Sequence, residues 1–387
     1  MIRVLHFSDP EQAYRRIAFL GVPEAETQRL VSGLRAILVS VPLTDEVSSV
    51  LPALLKERGV PYARGRDVLL LSVSSKAQLN HAGGDPMGAG DPFASLREAI
   101  DRQQNRKYTL SCRDRTLSLE GPPRIMGILN VTPDSFSDGG KYLSFERAVE
   151  RGREMVNDGA DIIDVGGEST RPGSIPVPAD VEISRVVPVL RALAESTEAI
   201  LSVDTTKAIV ARQAVAAGAR IINDTSALAD DPEMAGLVRD SGCAVVLMHR
   251  LGTPETMQNS PSYRSLFDEI LDSIHERVAA AEGTGVPCDR ILVDPGVGFG
   301  KRFEDNLALH RHLSDLRNLG KPILFGPSRK AFLGRITGRE PGERAFGTAA
   351  CLSMAVMGGV NVVRVHDVGG AMDAVRVAHA VSGGVEC

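Results

Sequence analysis

From residue 124 onward, short β-branched runs alternate with longer amphipathic stretches eight times over, and this repetition restricts the fold more than any other feature of the 387-residue chain. Strands are expected at 124–129, 161–165, 199–203, 220–223, 244–248, 290–293, 322–325 and 361–365. Helical patterns lie between them, among them 145–158, 180–194, 206–217, 262–282 and 343–357. Roughly 265 residues holding eight βα units match a (β/α)8 TIM barrel, which typically takes about 250. A doubly wound parallel sheet is the weaker alternative.

A barrel of this kind places reactive groups at the C-terminal ends of its strands, and polar clusters stand at all eight. The first strand, IMGILN, empties into VTPDSFSDGG; the second is followed by GGESTRPG from Gly166. The third ends in Asp204, the fourth in Asn223-Asp224, and the fifth in Met248-His249-Arg250. The sixth runs into DPGVGFGK from Asp294, the seventh into GPSRK from Gly326, and the eighth carries Arg364-Val365-His366-Asp367. Taken singly, each cluster has an ordinary reading. Asp204 and Asp224 suit helix N-caps, Asp294-Pro-Gly suits a turn, Lys330 a solvated surface and His366 a satisfied core position. Their joint placement around one barrel mouth describes a site, where the glycines of GVGFG permit close backbone approach to a ligand. His310-Arg311-His312 has metal-like spacing but no acidic or thiol partners, and reads as surface.

Composition narrows the function classes. A net charge of −5 and a pI near 6.0 provide no basic field for nucleic acid, so any anion must be met by local cations. Cys112, Cys243, Cys288, Cys351 and Cys387 are scattered, odd in number and lack a CxxC pair, as expected of inert reduced thiols, buried for the most part, in a cytoplasmic protein. No stretch approaches the roughly 20 apolar residues of a membrane span. With 43% hydrophobic residues the chain can bury more than one core. The boundary is expected near 106, with a small α/β accessory domain over 1–106 and the barrel over 107–387. In the accessory domain, strands are expected at 2–7, 36–41 and 68–73 and helices at 11–19, 45–57 and 93–103; the Gly/Pro-rich stretch 81–92 reads as a linker. No catalytic constellation is visible there, and an oligomerisation, regulatory or structural appendage is expected.

The motifs NVTPDSFSDGG, GGESTRPG, DPGVGFGK, SRK and RVHD resemble those of the dihydropteroate synthase family, and the resemblance covers residues 107 to 384, including a hairpin expected at 108–119. It implies a transferase of folate biosynthesis and a sulfonamide target. Such an enzyme joins a hydroxymethyl-dihydropterin pyrophosphate to p-aminobenzoate by dissociative loss of pyrophosphate. The family pattern gives the pterin pocket to Asp204, Asn223, Met248, Asp294, Phe299 and Lys330. It gives the p-aminobenzoate subsite to Thr170, Arg171, Pro172 and Ser328, and the pyrophosphate site to Asn130, Arg364 and His366. Asn130 is the implied ligand of Mg²⁺. Asp138, Arg171, Lys330, Arg364 and His366 are the implied catalytic set, Asp138 and Arg171 lying on loops that close over the substrates. One departure stands out: Pro327 precedes Ser328 where a small or β-branched residue is expected, and it fixes φ beside the aryl-amine subsite.

The substrates expected are small molecules, with neither nucleic acid nor membrane as partner, and the assembly expected is a homodimer through barrel helices. Two other functions compete. A pterin-dependent methyltransferase would share the barrel but has no need of SRK with an Arg-x-His phosphate site. A non-catalytic pterin-binding protein would tolerate loss of Asn130, Asp138, Arg171 or His366, and all four are present.

Overall fold

The structure, a computed structural model, describes residues 1–5, 10–32, 37–80, 93–132, 141–169, 174 and 176–384. The chain divides into two compact units, Met1–Asn105 with Arg317–Gly320, and Arg106–Leu316 with Lys321–Cys387.

The first unit holds β1 (Arg3–Leu5), α1 (Pro10–Phe19), α2 (Glu24–Ser32), β2 (Ile37–Pro42), α3 (Asp45–Glu57), β3 (Tyr62–Arg64), β4 (Val68–Val73) and α4 (Ala94–Gln104). Its four strands pair antiparallel in the order β1-β2-β4-β3. Successive strand side chains face opposite ways, and here both faces are covered. Val39, Val41, Leu69, Leu71 and Val73 join one core with Leu51 and Leu55 of α3 and Leu96 and Ile100 of α4. Leu38 and Leu70 join the other, with Ile17 of α1 and Leu30 of α2. A strand buried on both sides has no polar face, which explains the unbroken run Val68-Leu69-Leu70-Leu71. α2 and β3 lie where no element was expected: Glu24–Ser32 is mostly polar and Tyr62–Arg64 is only three residues long.

The second unit opens with the hairpin β5 (Thr109–Cys112) and β6 (Arg115–Ser118), then β7 (Arg124–Asn130), α5 (Lys141–Asn157), β8 (Ile162–Gly166), α6 (Ala179–Ser196), β9 (Ile200–Asp204), α7 (Ala208–Ala216), β10 (Ile221–Asp224) and α8 (Met234–Ser241). It continues with β11 (Ala244–Met248), α9 (Leu266–Gly283), β12 (Ile291–Asp294), α10 (Phe303–Arg311), β13 (Leu324–Phe325), α11 (Ala331–Thr337), α12 (Ala345–Met357), β14 (Val362–Val365) and α13 (Val368–His379). Strands β7 to β14 form one parallel eight-stranded sheet. Val293 of β12 pairs with Ile323 just before β13, and the Val293 N–H donates to the Pro322 carbonyl at 3.0 Å, so the sheet closes on itself as a (β/α)8 barrel.

The barrel interior is built in layers with period two. At the N-terminal ends, Met126, Ile162, Ile200, Ile221, Ala244, Leu292, Leu324 and Val362 form one apolar layer, plugged by Leu110, Cys112 and Leu119 of the hairpin segment. Two residues further along five of these strands stand Asp164, Ser202, Asn223, Asp294 and Arg364, and this change of chemistry within one alternation phase creates the site.

One expectation needs correction. His310 is buried, 7% exposed, with its ring 4.9 Å from that of Phe325 and 5.0 Å from that of Phe332, because α10 turns it toward the barrel while Arg311 faces solvent. Cys112, Cys243 and Cys351 are buried free thiols, but Cys288 is exposed; Cys387 lies outside the described residues. No helix among the described residues is long and apolar enough to cross a membrane.

Candidate active site

A pocket lies at the C-terminal end of the barrel. Its wall contains Asp204, Asn223, Met248, Asp294, Phe299 and Lys330, all six residues expected to bind the pterin, and in addition Arg364. Thr225, Val297 and Gly326 complete the lining. A roomier hollow between α5 and α6 is an open surface edged by Glu146, Arg147, Glu150 and Arg153, and brings together no comparable set of buried polar groups.

The strand ends position the polar wall. Asp294, the last residue of β12, accepts the Gly296 N–H at 2.7 Å, so it is a turn residue and a pocket residue at once. Gly296 has φ +67°, and a Cβ there would come within 2.0 Å of the His249 carbonyl oxygen, so only glycine lets the loop after β12 pass this close to the loop after β11. Buried Lys301 ties the same two loops together, with its ammonium near the Nδ1 (2.9 Å) and carbonyl (3.3 Å) of His249 and the carbonyl of Phe299 (3.0 Å). Burial lowers its pKa to about 7. The loops thereby bring Met248 and Phe299 into one apolar wall with Met257. The Lys330 ammonium lies 4.4 Å from the centre of the Phe299 ring, a cation–π distance. Asp224, by contrast, serves its turn alone, accepting from the Ser226 N–H and hydroxyl and from the Leu228 N–H.

Across the barrel, Arg364 donates from Nε to Asp164 Oδ2 and from a terminal nitrogen to Asp204 Oδ2, both at 2.7 Å. The expectation set Arg364 beside His366, facing phosphate. Its alternation phase carries it inward, to the layer where two carboxylates wait on β8 and β9. His366 lies just past β14 and outside the pocket lining, with its Nδ1 2.9 Å from the Ser328 hydroxyl. Ser328 also accepts the His366 backbone N–H at 3.2 Å. Its hydroxyl is thus engaged by His366 from two sides. Between Ser328 and Lys330, Arg329 has φ +57°, a left-handed conformation that costs a non-glycine residue energy. The Asp367 carboxylate, at 2.5 and 3.2 Å from its guanidinium, holds it there.

Burial dominates the electrostatics. It raises the pKa of Asp204 to about 7 against the pull of Arg364, and raises that of Asp294 despite the Gly296 N–H and Lys330. It lowers Lys330 to about 8, with Arg364 adding to the effect, and His366 to about 3, with Arg329 and Arg364 nearby, so the imidazole is neutral at physiological pH. Asn130, half-buried at the end of β7, and Asp204 flank Gly166 from the two neighbouring strands: a Cβ built on Gly166 would lie 3.6 Å from the Asn130 Oδ1 and from the Asp204 Cβ. Asp138, Thr170, Arg171 and Pro172 lie outside the described residues.

The sequence reading missed Asp164, which is fully buried and bonded to Arg364, Asn223 and Ser202. The signal was present: a charged residue inside the apolar run Ile162-Ile163-Asp164-Val165, in phase with Ile162. Lys301 stood in a quoted motif without a role, since nothing in the sequence ties it to His249.

Residues 126–366 match the family model described as "Pterin binding enzyme". The chain is 44% identical over 258 residues to the dihydropteroate synthase of Synechocystis sp., covering 66% of this chain and 89% of that one. Against the Bacillus subtilis dihydropteroate synthase it is 44% identical over 275 residues, 70% and 92% of the two chains. Among solved structures, Yersinia pestis dihydropteroate synthase in a sulfonamide drug complex superposes with a TM-score of 0.68 at 41% identity, over 71% of this chain and 99% of that one. Xanthomonas albilineans dihydropteroate synthase in complex with 7,8-dihydropteroate gives 0.65 at 44% identity, over 70% and 98%. With pterin-pocket residues gathered at one barrel mouth and relatives matched over nearly their whole length, this chain belongs to the pterin binding enzyme family, among the dihydropteroate synthases.

Proposed function

We propose that the protein condenses 6-hydroxymethyl-7,8-dihydropterin pyrophosphate with p-aminobenzoate, giving 7,8-dihydropteroate and pyrophosphate. The observation that carries this reading is the convergence of Asp204, Asn223, Asp294 and Lys330 with Met248 and Phe299 in one pocket. A pterin's aminopyrimidinone edge offers adjacent N–H donors, which Asp294 and Asn223 accept, and ring acceptors, to which Lys330 donates. Met248 and Phe299 supply the apolar walls for a flat ring.

In this reading the C–O bond to pyrophosphate breaks first and the leaving group takes the electron pair, while the electron-rich dihydropterin delocalises the cation left on its methylene carbon. The amine of p-aminobenzoate then forms the C–N bond and sheds a proton to solvent. Arg364, at the pocket wall, and neutral His366, as a hydrogen-bond donor, meet the departing anion. Ser328 supports His366, so we place its contribution to the p-aminobenzoate subsite through that histidine. Asp138, Thr170, Arg171 and Pro172 complete the closed site over both substrates.

Mg²⁺ supplies charge neutralisation to the phosphates when bound. Asn130, across Gly166 from Asp204, is the protein ligand we assign, and no group of three His, Cys, Asp or Glu among the described residues makes a protein-only cage. One protein oxygen with substrate phosphates and water is an ordinary Mg²⁺ set. We further propose a cytoplasmic homodimer. Phe346 (89% exposed), Met354 and Met357 on α12, together with Val377 on α13, form the apolar surface that supports pairing through barrel helices. We place the N-terminal accessory domain at 1–106 as an appendage outside the chemistry; the stretch 81–92 lies outside the described residues, and α4 beyond it packs in the same unit.

Incubating the protein with the pterin pyrophosphate, p-aminobenzoate and Mg²⁺ should yield dihydropteroate by mass detection, and a sulfonamide should suppress it. A folded protein that binds pterin yet forms no product would favour the non-catalytic reading; methyl transfer from a methylated pterin would favour the methyltransferase.

A further inference from the structure

We propose that Asp164, outside the pocket lining, is a positioning residue that fixes two lining side chains, Arg364 and Asn223, at the same time. Its Oδ2 accepts Arg364 Nε at 2.7 Å and Asn223 Nδ2 at 2.9 Å, while its Oδ1 accepts the Ser202 hydroxyl at 2.5 Å. One fully buried carboxylate on β8 thereby gathers side chains from β9, β10 and β14 across the barrel interior.

Two consequences follow from the chemistry of a carboxylate, which only accepts. Asn223 must turn its amide nitrogen toward Asp164, which leaves Oδ1 as the atom offered to the pocket, so Asp164 sets Asn223 as a reader of ligand donors. Arg364 is held by two arms of unequal standing. The arm to Asp204 ends on a residue that lines the pocket, where a ligand donor competes for the same oxygen; the arm to Asp164 ends where no ligand reaches. Asp164 is the fixed anchor and Asp204 the exchangeable one. Ligand entry then frees one end of the guanidinium while the other keeps its place.

This inference rests on the synthase reading, and the test separates the two. Wild type, Asp164→Asn, Arg364→Gln and the double variant are compared by steady-state kinetics, with melting curves to confirm folding and calorimetry with a phosphate-free pterin. Asp164→Asn should lower kcat by about tenfold or more, weaken pterin binding, and leave KM for p-aminobenzoate within about twofold. The double variant should lose less than the product of the two single losses, because the carboxylate acts in part through the arginine and in part through Asn223. Ser202→Ala keeps the charge and removes one of the three bonds; it should lower kcat by about two- to fivefold, and it decides the matter if Asp164→Asn does not fold. Losses that multiply in the double variant, or wild-type constants in Asp164→Asn or in Ser202→Ala, would overturn the positioning role while leaving the synthase reading intact. Absence of product from wild type would sink the synthase reading instead, and calorimetry on the same variants would still report whether Asp164 sets the pocket.

Discussion

The two ends of the barrel are made by the same strands in the same alternation phase, yet they do opposite work. Leu292 and Asp294 are two residues apart on β12, as Val362 and Arg364 are on β14. One of each pair packs in the hairpin-plugged apolar layer and the other lines the pocket. The lower layer is built of apolar side chains. The upper layer holds Asp164, Asp204, Asp294 and Arg364 in a low-dielectric interior, where each burial costs free energy unless a partner or a ligand offsets it. The lower end stabilises the barrel, and the upper end is tolerated because of what the lower end contributes.

The largest contrast should come from β12 itself. Leu292→Ala is expected to lower stability by about 2–5 kcal/mol in chemical denaturation, with pterin affinity close to wild type. Asp294→Ala should do the reverse. Pterin affinity should fall by about 2–4 kcal/mol in calorimetry, because ring donors are left unpaired, while stability holds or rises with the loss of a carboxylate disfavoured by burial. If Asp294→Ala unfolds the protein or leaves affinity unchanged, the division of labour along the strand is wrong.

A smaller effect is expected from Arg364→Lys. A lysine keeps the charge but not the planar fork that reaches Asp164 and Asp204 together, so turnover should drop by about tenfold. Affinity for a pterin without phosphates should fall as well, because Arg364 stands in the pocket wall. Loss confined to pyrophosphate-bearing ligands would place the arginine back beside His366 as a phosphate residue only.

The gentlest probe is pH. Lys330 has its pKa lowered to about 8 by burial, and its protonated form is the donor; kcat/KM should therefore fall on the alkaline side as pH rises through that value, the protonated fraction of Lys330 dropping about fourfold by pH 8.5, while Asp204, raised to about 7, shapes the profile nearer neutrality. Lys330→Arg, if active, should move this limb upward. A profile flat to pH 10 in wild type would mean that the charge on Lys330 is not needed. His366, lowered to about 3, should add no limb between pH 6 and 8.

Much of the fold and of the pocket is legible in the amino-acid sequence. Eight βα units set the barrel, because a period-two apolar run beside an amphipathic stretch has few ways to bury itself. Seven of the eight strands begin or end a residue or two from their expected limits, and 244–248 is unchanged. The pterin-pocket residues stand at strand ends, where the chain must change from apolar to polar within a few positions. The run Val68-Leu69-Leu70-Leu71 announces a strand without saying that it is covered on both faces.

What the sequence determined, then, is the set of local choices: which segments extend, which coil, and which end carries charge. Tertiary structure decided the pairings between residues far apart in the chain. Asp164 meets Arg364 across 200 positions, Ser328 meets His366 across 38, and Lys301 reaches back to His249 across 52. The barrel's closure brings these partners together, and no local pattern encodes the angle at which β8 faces β14. The same closure turned His310 inward against Phe325 and Phe332, set Arg364 in the pocket wall, and gave Asp164 a role. A buried charge selects its partner by proximity in a low-dielectric interior, and that proximity exists only once the sheet has closed.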